Sequence, residues 1–477
     1  LDKKVKPRLA RGLQDILPAQ MLARQRMIDV IRGVYEGYGF VPLDTSAIEF
    51  MDVLNGSGGE EAQDSIFQVA NPDNPDIPLG LRFDLTVPLA RVIAQYADLQ
   101  RPFRRYQVAP VWRADKPGAG RFRQFTQFDL DSVGVKSEVA DTEIITAVCD
   151  TLSALDVGGF RVRVSSRKVL NLLMPFADIP TEAAADVFRV LDKLDKLGLD
   201  KVKLELTTGY KDKSGDTIRG LGLSSGQVQK IEQFLEIKAA KRDDVLVQIK
   251  EAFSGLEQAD SAIGELETIS KHLTALGYHD DCVALDLSIA RGLAYYTGPV
   301  FEAILLDAPE FGSVVGGGRY DNLVMRFLGE AAPATGASIG VDRLLAAMAH
   351  LKRIKMVNST AQVLITRFDD NLIDDYLTMA YELRRAGVRT ELYVGTAKRV
   401  GKQLKYADQT DIPIAIMMGS DEKEKGTVTI KDLAQGRVMS KDMSGHEQWK
   451  TERPGQFEAP RSELVQTIKH LLTQIED

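Results

Sequence analysis

Residues 104–131 constrain this chain more than any other segment. Arg104 to Trp112 has the pattern of a strand, a glycine-bearing turn follows at Lys116-Pro117-Gly118-Ala119-Gly120, and a second strand-like run extends from Arg121 to about Asp131. This spacing predicts a β-hairpin with an extended loop. Side chains alternate faces along a strand, so Arg121, Arg123, Phe125, Gln127, Asp129 and Asp131 share one face, opposite Phe122, Gln124, Thr126, Phe128 and Leu130. A solvent-exposed strand could carry such charges on its outer side. The order speaks for a ligand instead: cations at the loop end, an aromatic in the middle, an amide and a carboxylate further in. That gradient suits a molecule with a polyphosphate at one end, a base that stacks, and an ammonium or polar group at the other. Arg113 before the loop and Arg121 after it bring two guanidinium groups to one mouth, and arginine's planar fork binds phosphate with two parallel, permanently charged hydrogen bonds.

A chain of 477 residues, 44% of them apolar, is long enough for two or three domains. Residues 21–38 read as an amphipathic helix, with Met21, Ile28, Ile31, Val34 and Tyr35 near helical spacing, ended by Gly37 and Gly39 before a strand at Phe40-Val41-Pro42. From about 166 to 275 the composition shifts to Leu, Lys, Glu and Ala with helical periodicity, which predicts a mainly helical insertion. Strand character returns at Val283 to Leu287 and Pro299 to Leu306. Apolar runs at 362–365, 390–394 and 412–418 alternate with helical stretches and predict a small α/β domain. The expected boundaries are 1–170 and 276–350 for the first domain, 171–275 for the insertion, 351–360 for a linker and 361–477 for the last domain.

Only two cysteines occur, Cys149 and Cys282, outside any C-x-x-C spacing, and the five histidines are dispersed. Neither a disulfide framework nor a zinc site is expected, and no metal ligands are assigned. No apolar run reaches membrane-spanning length, and the first residues lack the apolar stretch of a secretory signal, so a cytosolic protein is expected. The missing initiator Met predicts a trimmed or partial N-terminus. A net charge of −8 argues against indiscriminate nucleic-acid binding and leaves room for a local basic footprint. Lys398, Lys402 and Lys405 fall at roughly i, i+4 and i+7 of an expected helix, hence on one face; a solvated face is the alternative.

The run RRYQVAPVWRADKPGAGRFRQFTQFDLD, Arg104 to Asp131, resembles the second signature motif of class II aminoacyl-tRNA synthetases in its histidyl-tRNA synthetase version. Arg11 to Pro18 resembles that family's N-terminal motif, and Phe40 to Pro42 the first class motif, which lies at a dimer interface. Arg291 to Phe301 (RGLAYYTGPVF) resembles a signature specific to the histidine enzymes, and Gly336 to Leu344 (GASIGVDRL) the third class motif. Gly401 to Asp408 and Gly426 to Leu433 resemble the family's anticodon-binding domain. The resemblance implies an α+β catalytic domain built on a mainly antiparallel sheet with flanking helices, a mainly helical insertion and a C-terminal α/β anticodon-binding domain. It implies a cytoplasmic homodimer that uses ATP, with Mg²⁺ bound through the phosphates, to activate L-histidine and charge histidine tRNA.

The same resemblance implies residue roles. Arg113 and Arg291 face the α-phosphate and the histidine carboxylate from opposite sides. Arg121 and Arg343 reach the β- and γ-phosphates, Phe125 stacks under adenine, and Asp115 sits near the adenine or ribose. Asp84, Leu85, Thr86, Gln127, Asp131, Tyr295, Tyr296 and Tyr320 match the amino-acid pocket, and Gly316 to Gly318 permit close backbone approach. Lys398, Lys402 and Lys405 are the candidates for tRNA contact. Two positions depart from the family pattern: Ala294 stands where Asp is common, and Thr126 where His is common. A non-catalytic relative that regulates ATP phosphoribosyltransferase would lack the phosphate arginines and the C-terminal domain. A synthetase for glycine, proline or threonine would lack the Arg291 signature.

Overall fold

The computed structural model describes residues 5–55, 65–117, 121–212, 215–290, 296–330, 332–435 and 455–476. Strand-forming, β-branched and aromatic runs build one eight-stranded sheet. Its strands are β1 (Val41–Pro42), β2 (Phe103–Trp112), β3 (Gln124–Val133), β4 (Phe160–Ser166), β5 (Val283–Leu285), β6 (Pro299–Leu305), β7 (Ser313–Arg319) and β8 (Ala334–Gly340). The spatial order is β1-β2-β3-β8-β7-β6-β4-β5. The outermost pairs, β1 with β2 and β5 with β4, are parallel, and every pair between them is antiparallel.

Helix α1 (Pro18–Gly37) precedes the sheet and starts three residues before the expected Met21, because Pro tolerates the first helical turn. Tyr35 from α1 meets Phe128 of β3 edge-on, with ring centroids 5.1 Å apart. Helix α2 (Thr86–Gln95) buries Val87, Leu89, Ala90 and Ile93. Helix α3 (Glu138–Ala154) is capped by Ser137, whose hydroxyl accepts from the Val139 amide; Glu138 and Asp141 in its first turn suit the positive end of the helix dipole. It buries Ile144, Ile145, Val148 and Leu152. The hairpin is one departure from expectation: regular pairing in β3 begins at Gln124, not Arg121. The Arg123 amide is instead bonded to the Gly12 carbonyl at 2.7 Å, which takes the start of the strand out of the ladder.

Between β4 and β5 the chain is mainly helical, with helices that include Ala184–Leu191, Ser225–Glu236, Arg242–Ala252 and α4 (Ala259–Ala275) and one two-stranded ribbon. Phe188, Phe234 and Phe253 are buried within it.

By internal contacts the chain divides into two compact units, 24–354 with the first fifteen residues and 355–477 with 16–23. The second unit has its own five-stranded sheet of β9 (Val363–Ile365), β10 (Thr390–Leu392), β11 (Ile414–Met417), β12 (Thr427–Asp432) and β13 (Gln456–Pro460), in the order β10-β9-β11-β12-β13. The pairs of β9 with β10 and β11 are parallel and the others antiparallel. Its core is Tyr376, Met379, Leu383, Ile414, Ile416, Ile430 and Ile468. The helix carrying the basic cluster spans Val400–Gln409, so Lys398 lies before it and the three lysines do not share one helical face. Lys398 is bonded to Asp370 at 2.8 Å, while Lys402 and Lys405 are exposed on the helix.

Candidate active site

The site grows from the register of three antiparallel strands. Asp131 of β3 pairs with Gly336 of β8, Asp129 with Ser338, and Gln127 with Gly340, while Gly318 of β7 pairs with Gly336 from the other side. A side chain at the centre of this floor would have nowhere to go. A Cβ on Gly336 would stand 2.0 Å from Asp131 Oδ1, and one on Gly317 would stand 2.4 Å from both the Gly336 carbonyl and the Phe301 ring. The glycines therefore let Asp131 lie flat across its neighbour strand.

Above this floor opens a cavity of about 740 Å³. Phe125, Gln127, Asp129 and Asp131 line it from β3, as strand alternation requires. Arg121 and Phe122 both line the mouth, since the backbone there has left the regular strand, and Arg123 turns aside to donate to the Asp115 carbonyl at 3.1 Å. Arg113, Asp115, Lys116 and Arg343 complete the cationic end; Asp84, Thr86, Tyr296 and Tyr320 surround the deeper end. Leu85 is fully buried and does not line the cavity; its carbonyl accepts from Arg105 at 3.0 Å. Arg291 and Tyr295 lie outside the described residues. Lys398, Lys402 and Lys405 belong to the second unit.

The arginines are held by backbone. Arg113 Nε donates to the Phe83 carbonyl at 2.9 Å, and its guanidinium lies 5.3 Å from the centroid of the Phe125 ring. Arg343 Nη1 donates to the Ser313 carbonyl at 2.7 Å. Anchoring of this kind fixes the direction of a cation before a ligand arrives. Beside Arg343, Asp342 accepts from the Thr126 amide at 2.6 Å and faces Arg24 at 3.8 Å, while Arg24 also donates to the Thr126 hydroxyl.

The deep end is acidic and its charged groups are buried. Arg105 is 0% exposed and pairs with Asp131 at 2.9 Å; the Tyr320 hydroxyl donates to the other oxygen of Asp131. Asp84 accepts from the Val87 amide at 2.9 Å and so caps α2. Burial raises the pKa of Asp84, Asp129 and Asp131, with Asp129 pushed up to about 7; Arg105 opposes the shift in all three. Gln127 Nε2 donates to Ser338 at 2.6 Å, while Gln127 Oε1 and Asp129 Oδ1 are buried with no hydrogen-bond partner among the described residues. Buried polar atoms left this way are suited to a ligand that donates, such as an ammonium.

Several contributors were given no role by the sequence reading. Asp129 was legible by parity with Gln127 and Asp131, whereas Arg105 and Ser338 join the site only through strand pairing. Asp192, from the helical insertion, also lines the cavity, and no local pattern marks it.

A mainly antiparallel sheet whose hairpin presents arginines at one end and carboxylates at the other, followed by a small α/β unit, is the fold of a class II aminoacyl-tRNA synthetase. Residues 12–344 match the family model for histidyl-tRNA synthetase, and residues 361–451 match that for an anticodon binding domain. The chain belongs to the histidyl-tRNA synthetase family. It is 42% identical to the histidine–tRNA ligase of Roseobacter denitrificans, covering 98% of this chain and 97% of that protein. Identity to the Cereibacter sphaeroides histidine–tRNA ligase is 43%, covering 97% of each. The crystal structure of histidyl-tRNA synthetase from Nostoc sp. PCC 7120 superposes with a TM-score of 0.81 at 32% identity, over 98% of this chain and 100% of that one.

Proposed function

We propose that this chain activates L-histidine with ATP to histidyl-adenylate and pyrophosphate, then transfers the histidyl group to the 3′ end of histidine tRNA. The observation that carries the proposal is one cavity with backbone-anchored arginines at its mouth and buried carboxylates at its base.

The histidine carboxylate attacks the α-phosphorus and the bond to the bridging oxygen of pyrophosphate breaks. Two anions must meet for this, so positioning and fixed positive charge supply most of the rate. Arg113 and, by the family resemblance, Arg291 would neutralise the α-phosphate and the incoming carboxylate. Arg121 and Arg343 would hold the departing pyrophosphate, Phe125 would stack on adenine, and Asp115 would approach the adenine or ribose. Among the described residues, no three His, Cys, Asp or Glu side chains are grouped to hold a metal. Mg²⁺ carried by the ATP phosphates would add positive charge at that end.

Asp84 lies close enough to Arg113 to feel its charge, which suits it to the ammonium next to the reacting carboxylate. Thr86 and Gln127 flank that position. Asp131, tied to Arg105 and Tyr320, suits the imidazole; Tyr296 lines the same cavity, and Tyr295 is assigned to the histidine pocket by the family resemblance alone. Leu85 serves through its backbone. A side chain that cannot pair with these buried groups leaves them unsatisfied, and discrimination on that basis is sharp. In the second step the 3′ hydroxyl of the terminal adenosine attacks the histidyl carbonyl and AMP leaves. Lys402 and Lys405, with Lys398, are the proposed tRNA contacts in the second unit. A homodimer is supported by the edge position of β1, where Val41 is 49% exposed. The expected setting is the cytoplasm, where charged tRNA is consumed.

ATP–pyrophosphate exchange with each proteinogenic amino acid tests the proposal. Exchange driven by histidine alone is expected. Exchange driven by another amino acid would move the substrate, and none at all would favour a regulatory subunit.

A further inference from the structure

Arg319 ends β7, one residue before Tyr320. It is 5% exposed and does not line the cavity. Its guanidinium is bound on every side. Nε and Nη2 reach Asp141 Oδ2 at 3.1 and 2.6 Å, Nη2 reaches the Ser137 carbonyl at 2.9 Å, and Nη1 reaches the Val135 carbonyl at 3.1 Å. All three partners sit in the first turn of α3 or just before it. Asp321 adds a contact at 3.4 Å.

The backbone of the same residue holds the other side of the pocket. The Arg319 carbonyl accepts from the Thr297 amide at 2.8 Å, and the Thr297 hydroxyl donates to Asp321 at 2.8 Å. Residue 297 directly follows Tyr296, whose ring packs against Gly318: a Cβ added there would meet it at 3.0 Å. A Cβ on Gly298 would in turn stand 3.0 Å from Arg319 Cδ. Tyr296, Thr297 and Gly298 thus lie against the same strand end that carries Tyr320, and the Arg319 side chain ties that end to the start of α3.

Stability alone is a poor reason for this arrangement, because a buried ion pair gains little over well-packed apolar residues of the same volume. Orientation is a better one, since a guanidinium held in a fixed fork specifies direction. We infer that Arg319, locked to Asp141, is a positioning residue that sets Tyr296 and Tyr320 for the amino-acid end of the cavity and leaves the phosphate end untouched. The inference rests on the histidine-activating function proposed above.

Arg319→Lys keeps the charge and loses the fork. In ATP–pyrophosphate exchange it should raise KM for histidine roughly ten- to a hundred-fold, the scale of an ångström-sized misplacement, with KM for ATP little changed. Thr297→Val, which keeps shape and removes the hydroxyl's bonds to Asp321 and to the Arg319 carbonyl, should shift histidine KM in the same direction by less, and it carries the test if Arg319→Lys does not fold. A merely structural role would lower the fraction of titratable active sites and the melting temperature while leaving histidine KM in the surviving enzyme unchanged. That result, or an equal rise in both KM values, overturns the inference alone. Absence of histidine-dependent exchange in the unmodified protein overturns the function and the inference together.

Discussion

Adding one methyl group at Gly336 should dismantle the acidic end of the cavity. The new Cβ would lie 2.0 Å from Asp131 Oδ1, 2.6 Å from its Cγ and 2.7 Å from the Leu130 carbonyl. Carbon and oxygen approach to about 3.3 Å, so the carboxylate must retreat by about 1.3 Å. That retreat gives up the Tyr320 hydrogen bond and the 2.9 Å contact with Arg105. Overpacking a core costs about 1–3 kcal/mol, and separating a buried ion pair about 3–5 kcal/mol if both charges persist. Burial already raises the Asp131 pKa, so protonation limits the second cost, and a net loss of about 3–5 kcal/mol is expected. Urea unfolding of Gly336→Ala measures the loss, and exchange kinetics should show a raised KM for histidine. The same substitution placed on Asp131→Ala should cost less, with a coupling of about 1–3 kcal/mol, because the clashing group is gone. Wild-type stability and histidine KM in Gly336→Ala, or an equal cost in both backgrounds, would refute the reasoning.

Arg291→Ala should lower the exchange rate by orders of magnitude while sparing tRNA affinity; near-normal exchange would remove the role given to this residue. Asp129, with its pKa raised from 3.8 to about 7, keeps a proton in the folded protein that the unfolded chain releases. Its contribution to stability is therefore full below about pH 4 and is lost as the pH rises through about 7, so Asp129→Asn should flatten that part of the stability curve. Parallel curves for the two proteins across that range would contradict the assignment. Replacing Lys402 and Lys405 by Gln should reduce the salt dependence of tRNA binding by up to about two contacts' worth of counterion release, and an unchanged slope would place the footprint elsewhere.

Much of this molecule is a local matter and can be read along the chain. Alternation with period two assigns Phe125, Gln127, Asp129 and Asp131 to one face whatever the strand packs against, and the arginines flanking a glycine-bearing turn converge for the same local reason. The shift to helical periodicity between the halves of the sheet, and the α/β alternation beyond it, are local too. Tertiary structure decided what depends on partners distant in sequence. Cross-strand register set Gly336 against Asp131 and Ser338 against Asp129, and burial by the whole sheet, not the residue type, pushed Asp129 up to about 7. The regular strand begins at Gln124 because the remote Gly12 carbonyl claims the Arg123 amide, and the helix bearing the basic cluster begins after Lys398, which bonds instead to Asp370. Arg105, Arg319 and Asp192 look like ordinary charged residues in the sequence. Each acquires its place only when strands and helices separated by tens of residues exclude water around it, or turn it toward a common cavity, and no local pattern encodes that.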